Sequence, residues 1–145
     1  MGKVQLEELE KTGKYFSVPR GISMRPMINN KEGIVEIHKL EGLAKRYDVV
    51  LYSRPGDQGV IHRVLWVKDG YYVIAGDNCW QREHVKFEQV AGIATRFYRK
   101  GKWHDCTETG YRIYSHFWTD TFFIRRPFLF VRDKIKRKRL RSKMS

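Results

Sequence analysis

A serine hydroxyl attacks a carbonyl carbon only when a neighbouring base takes its proton. One serine of this chain stands where it would be presented for that chemistry. In "SVPRGISMRPMI", residues 17–28, Ser23 lies between Pro19 and Pro26, with Gly21 two positions before it. Each proline fixes one backbone angle and restricts the residue before it, while the glycine permits a turn that other residues resist. A side chain on such a loop has a defined position. The base for it is His62 in "GVIHRVLWV". Period-two alternation puts the imidazole on the face of Val60, Val64 and Trp66, with Ile61 and Arg63 on the other. Apolar surroundings lower an imidazole pKa and keep the ring neutral, as a general base requires. Its second nitrogen then needs an orienting acceptor, and Asp77 and Glu83 in "AGDNCWQRE" are two candidates. Taken singly, Ser23 reads as a loop serine, His62 as a core histidine, Asp77 as a turn acid and Glu83 as a surface carboxylate. Their combination is what asks for catalysis.

The elements that must position these residues are mostly strands. Val4, Leu6 and Leu9 suggest a short helix ended near Gly13. After it, residues 33–40, 48–53, 58–70, 71–76 and 90–101 alternate with period two. Pro55-Gly56-Asp57, Asp69-Gly70 and Gly76-Asp77-Asn78 supply turn chemistry between them. Short, closely spaced strands predict a mainly β fold, a small twisted antiparallel sheet or partly open barrel. From Tyr111 onward, "YRIYSHFWTDTFFIRRPFLFVRDKIKRKRLRSK" interleaves aromatics with Arg and Lys. Pro127 is expected to divide it into two helical pieces. The organisation expected is therefore a β domain over 1–110 and an aromatic, basic helical extension over 111–145.

With 145 residues the chain is long enough for one real core. Its formal charge of +13 is uneven, +9 in residues 125–145 and +4 in the rest. No window approaches the ~20 uncharged apolar residues that span a bilayer, and the N-terminus has no signal-peptide core. Leu6 stands where a myristoylation signal at Gly2 has Ser or Thr, so that anchor is not expected. Cys79 and Cys106 suit a reducing compartment, where they remain thiols. A cytosolic location is expected, free or peripheral on the inner face of the membrane. His38, His84, His104 and His116 have no ligand spacing, and neither metal nor cofactor is expected. The basic tail has three readings: a solvated tail, a nucleic-acid contact, or an interfacial element on an anionic membrane. The third is favoured, and no nucleic-acid recognition motif accompanies the charge.

In chain order, "GISMRP", "HRV" and "GDN" resemble the three boxes of the S24/S26 serine peptidase superfamily, which includes signal peptidase I and the self-cleaving repressors. The similarity covers roughly residues 15–100. It implies Ser23 as nucleophile and His62 in place of the bacterial lysine, as in the Ser/His branch of the family. In that branch an aspartate shortly after Gly-Asp-Asn completes the triad; Glu83 occupies the matching position here, and Asp77 matches as a supporting carboxylate. Bacterial members carry a serine at the position of Gly21 whose hydroxyl helps hold the oxyanion, so backbone N–H groups, that of Ser23 first, must serve here. A missing donor is worth about 3 kcal/mol in the transition state. Met24 and Pro26 set the loop, and Met24 and Met27 are expected to line an apolar substrate groove. Neither the family's N-terminal membrane anchor nor, within the 22 residues before Ser23, the repressors' DNA-binding module is expected here. The implied activity is cleavage of a peptide or precursor protein by a serine endopeptidase. The competing readings are a non-catalytic binding module of the same fold and a nucleic-acid-binding β domain.

Overall fold

The computed structural model describes every residue except Met1, Gly2, Arg20, Asn30, Lys31 and Asp57, and the side chains of Lys3, Val4, Gln5 and Gln58 are also left out. The readings at Gly2, at the Val4 side chain and at the Asp57 end of its turn lie outside the described residues.

Helix α1, Lys3–Thr12, buries Leu9 and stops at Gly13. The Gly13 N–H returns to the Leu9 carbonyl at 2.9 Å with φ at +75°, a left-handed closure that glycine adopts without strain. Eight strands follow: β1 Lys14–Ser17, β2 Ile34–Lys39, β3 Val49–Arg54, β4 Gln58–Val67, β5 Tyr71–Ala75, β6 Glu83–Lys86, β7 Val90–Arg99 and β8 Lys102–Asp105. They pair antiparallel throughout, in the order β1-β2-β7-β3-β4-β5-β6, with β8 also on β7. The sheet curls into a half barrel, so the expectation of a mainly β, partly open architecture holds. Strands β1, β6 and β8 carry only four residues each, too few to display a period, and the sequence reading passed over them.

Alternation divides the core. Val49, Leu51 and Ile61 join Met24, Met27, Ile28 and Phe97 on one face. Val50, Tyr52, Val64, Tyr72 and Ile74 fill the other. His62 stands opposite Val50 in register and shares the second face with Val64. Trp66 does not. The register shifts between Val64 and Trp66, so that Trp66 pairs with Val73. An extra residue in one strand reverses the side-chain direction beyond it, and Trp66 joins Leu65, Val73, Ala75 and Phe122 instead.

The C-terminal segment forms α2, Thr109–Asp120, and α3, Phe122–Met144. The break falls at Thr121 rather than at Pro127, which sits inside α3. Thr121 turns its hydroxyl back onto the Phe117 carbonyl at 2.6 Å, a local bond that competes with helix continuation. Pro127 forgoes one backbone N–H near the start of a helix of 23 residues, and the helix continues through it. Tyr111 and Tyr114 lie against the Arg63 guanidinium, 5.7 and 5.6 Å from ring centroid to carbon, and Phe122 is buried against β4 and β5. Residues 111–122 thus close the sheet they follow.

Candidate active site

The loop that carries Ser23 is held from below. Gly21 has φ at +82° with open space around it, so the turn needs glycine for its backbone angle alone. Met24 and Met27 are 3% and 1% exposed and sit within the core beside Ile28 and Leu51. They anchor the loop, and the expectation that they line a substrate groove is corrected: burial leaves them almost no accessible surface. Pro26 is exposed, at the rim of a shallow cavity shared with Arg25, Asn29 and Glu32.

The turn after β5 grips the loop from the side. The Asn78 N–H donates to the Ser23 carbonyl at 2.8 Å and its side-chain amide to the Ile22 carbonyl at 3.0 Å. Gly76 lies between the Ser23 backbone carbonyl and the His62 ring. A Cβ there would stand 2.6 Å from the Ser23 carbonyl oxygen and 3.0 Å from His62 Nε2. A side chain there would force the Ser23 carbonyl and Cys79 Sγ aside and crowd the His62 ring, so the close approach of the serine loop to this strand end needs glycine. The Ser23 hydroxyl, the Ser23 N–H and His62 Nε2 make no hydrogen bond to any described residue.

His62 is 6% exposed, and burial pushes its pKa down to about 4, with Arg54 in support and the Glu83 and Asp77 charges opposing. Its Nδ1 lies 3.2 Å from the Tyr52 hydroxyl and 3.9 Å from Glu83 Oε1. The immediate partner of the imidazole is thus the phenol. Tyr52 reaches it because it belongs to the same face, two pairs along the β3–β4 ladder from His62. Burial raises the Tyr52 pKa, and the phenol stays neutral. Glu83 opens β6 and is half-buried rather than a free surface carboxylate. Burial raises its pKa, but the Arg54 guanidinium, which holds both carboxylate oxygens, wins and leaves it below the ordinary value. Glu83 is a fixed negative charge behind Tyr52.

Asp77 faces away from His62. Its carboxylate takes Arg63 Nε at 2.7 Å and Nη2 at 2.8 Å, and the Tyr114 hydroxyl at 2.7 Å. Its carbonyl accepts from the Trp118 indole at 2.7 Å. Both charged side chains are 1% exposed. Such a pair persists only because each polar atom is met, and Arg63 also donates to the Tyr47 carbonyl and to Tyr111. Asp77 therefore fixes the turn whose next residue holds Ser23.

The sequence grouped Ser23, His62, Asp77 and Glu83; the structure sets the Ser23 carbonyl and His62 Nε2 around Gly76 and Glu83 Oε1 3.9 Å from His62 Nδ1, and it turns the Asp77 carboxylate to Arg63. Sequence reasoning missed Tyr52, Arg54 and Asn78. Tyr52 was within reach of reasoning, since "DVVLYS" puts it on the buried face of a strand, but its pairing with β4 was not. Among the described residues, no three His, Cys, Asp or Glu side chains gather as a metal site. No family model matches the chain, and neither a curated protein nor a solved structure matches it.

Proposed function

We propose that the protein is a serine endopeptidase of the signal-peptidase-like type, cleaving a peptide or precursor protein through Ser23 and His62. The observation that carries this reading is the approach of the Ser23 loop to His62 Nε2 across Gly76, with the other ring nitrogen already engaged by Tyr52. His62 Nε2 takes the Ser23 proton as Oγ attacks the scissile carbonyl carbon. The imidazolium then returns that proton to the leaving amine, and the peptide bond breaks to an acyl-enzyme. Water, deprotonated by the same nitrogen, attacks the ester and frees Ser23. The Ser23 N–H, unengaged by described residues, is a donor available to the oxyanion, and Gly21 has no side-chain hydroxyl to add to it. Catalytic hydrogen bonds that are open in a free enzyme tighten around substrate.

The competing reading, a binding module without turnover, is favoured by the missing Ser23–His62 hydrogen bond and by the lack of a side-chain oxyanion donor at Gly21. One experiment separates the two. Purified protein is incubated with a proteome-derived peptide library and products are read by mass spectrometry. The enzyme reading expects cleavage that falls at least ~10³-fold in Ser23→Ala and in His62→Ala, with the double variant no worse than either, because the two act as a unit. Cleavage that survives either substitution overturns the assignment, and enrichment of intact peptides without products supports the binding module.

A further inference from the structure

Helix α3 is docked along one side only. Phe122 is buried, Arg126 donates to the Trp80 carbonyl at 3.0 Å, Phe130 meets the Trp80 ring edge-on at 4.8 Å, and Arg132 donates to Asn78 Oδ1 at 2.6 Å. These contacts decide which side faces water. On it, Ile124, Phe128, Val131 and Ile135 remain 54, 74, 52 and 48% exposed. Steps of four, three and four residues align them as a single stripe along the helix.

Cations border the stripe. At about 100° per residue, Arg139 falls along one edge and Lys134 and Lys138 along the other. From Arg132 to Lys143 there are eight Lys or Arg against one acid, Asp133. Arg132 takes that acid, and the seven cations beyond it make no ion pair among the described residues. An apolar stripe flanked by uncompensated positive charge fits a surface that is apolar below and anionic above.

We propose that α3 lies on an anionic lipid bilayer, with Ile124, Phe128, Val131 and Ile135 beneath the headgroups and the flanking Lys and Arg among the phosphates. Charge complementarity selects this occupant. A second copy of the chain would bring the same cations against this face. A nucleic acid would meet the cations, but it takes apolar contacts by base stacking, for which Ile124, Val131 and Ile135 have no ring. No helix formed by the described residues is long and apolar enough to cross a membrane, so the contact is with the surface. The proposal stands on α3 alone and does not depend on the peptidase reading.

The test is sedimentation of the full chain with vesicles of phosphatidylcholine alone or phosphatidylcholine with phosphatidylglycerol, beside a titration with single- and double-stranded oligonucleotides at the same salt. Binding is expected to the phosphatidylglycerol vesicles only and to weaken as salt rises. The double variant Phe128→Ser/Ile135→Ser, whose positions are exposed and leave the fold undisturbed, is expected to lower partitioning about tenfold. Lys134→Glu/Lys138→Glu is expected to do the same from the charge side. Equal binding by the Ser double variant overturns the proposal, because the attraction is then charge alone. It is equally overturned if the intact protein ignores anionic vesicles, whether it remains free, self-associates or binds the oligonucleotides instead.

Discussion

At the scale of single residues, the burial that keeps His62 neutral also makes it a weak base. A pKa near 4 leaves the ring unprotonated across the physiological range, yet proton transfer to it is less favourable than to a base poised near 7. Glu83 offsets part of this, since its negative charge behind Tyr52 favours the imidazolium. In the peptidase reading, the acid limb of kcat/KM is therefore expected near pH 4, not near the ordinary histidine value of 6.5. The same shift enters stability. Between 6.5 and about 4 the unfolded chain binds a proton at this residue that the folded chain does not, so its contribution is whole above 6.5 and lost as pH falls to about 4. Glu83→Gln removes an interaction that raises the His62 pKa and leaves Arg54 unopposed, so NMR titration of the ring is expected to move further down. Tyr52→Phe keeps the buried ring and loses the hydroxyl at Nδ1. Turnover is expected to fall about 10²-fold with little change in melting temperature; an unchanged rate would show that the phenol does not orient the base.

At the scale of elements, β4 and β5 assign opposite work to neighbouring residues. His62 takes the face of Tyr52 and reaches the Ser23 loop only at Gly76, whereas Arg63 takes the face that meets Met27 of that loop, Asp77 and α2. The antiparallel pairing of Arg63 with Ala75 brings the guanidinium to the turn that begins at Gly76. Asp77→Ala would leave Arg63 buried without its counter-ion, a loss of about 3–5 kcal/mol. In a chain of this length that corresponds to a melting temperature lower by on the order of 10 °C. Glu83→Gln, half-exposed and outside this network, is expected to lower turnover with a far smaller thermal effect. Calorimetry beside kinetics checks the contrast, and equal thermal losses would remove the distinction between a structural and a catalytic carboxylate.

For the molecule as a whole, the C-terminal segment is two things in succession. Tyr111, Tyr114 and Trp118 cover the Arg63–Asp77 network and Phe122 packs on Leu65, Val73 and Ala75, whereas α3 beyond Asp133 is exposed throughout. Truncation after Asp133 is expected to keep the melting temperature within about 2 °C, while truncation after Gly110 is expected to abolish cooperative unfolding in calorimetry. The sequence by itself determined the features that rest on local chemistry: a sheet from period-two runs, a turn at Gly21, an α1 stop at Gly13, and a His62 held among Val60 and Val64. Each depends on a residue and its near neighbours along the chain. The tertiary structure alone decided that Tyr52, not a carboxylate, touches Nδ1, that Asp77 turns to Arg63, that Asn78 holds the Ser23 carbonyl, and that Trp66 leaves the His62 face. These outcomes depend on strand register, a bulge and contacts between residues as many as 55 positions apart, such as Asn78 and Ser23, and no local pattern encodes such distances.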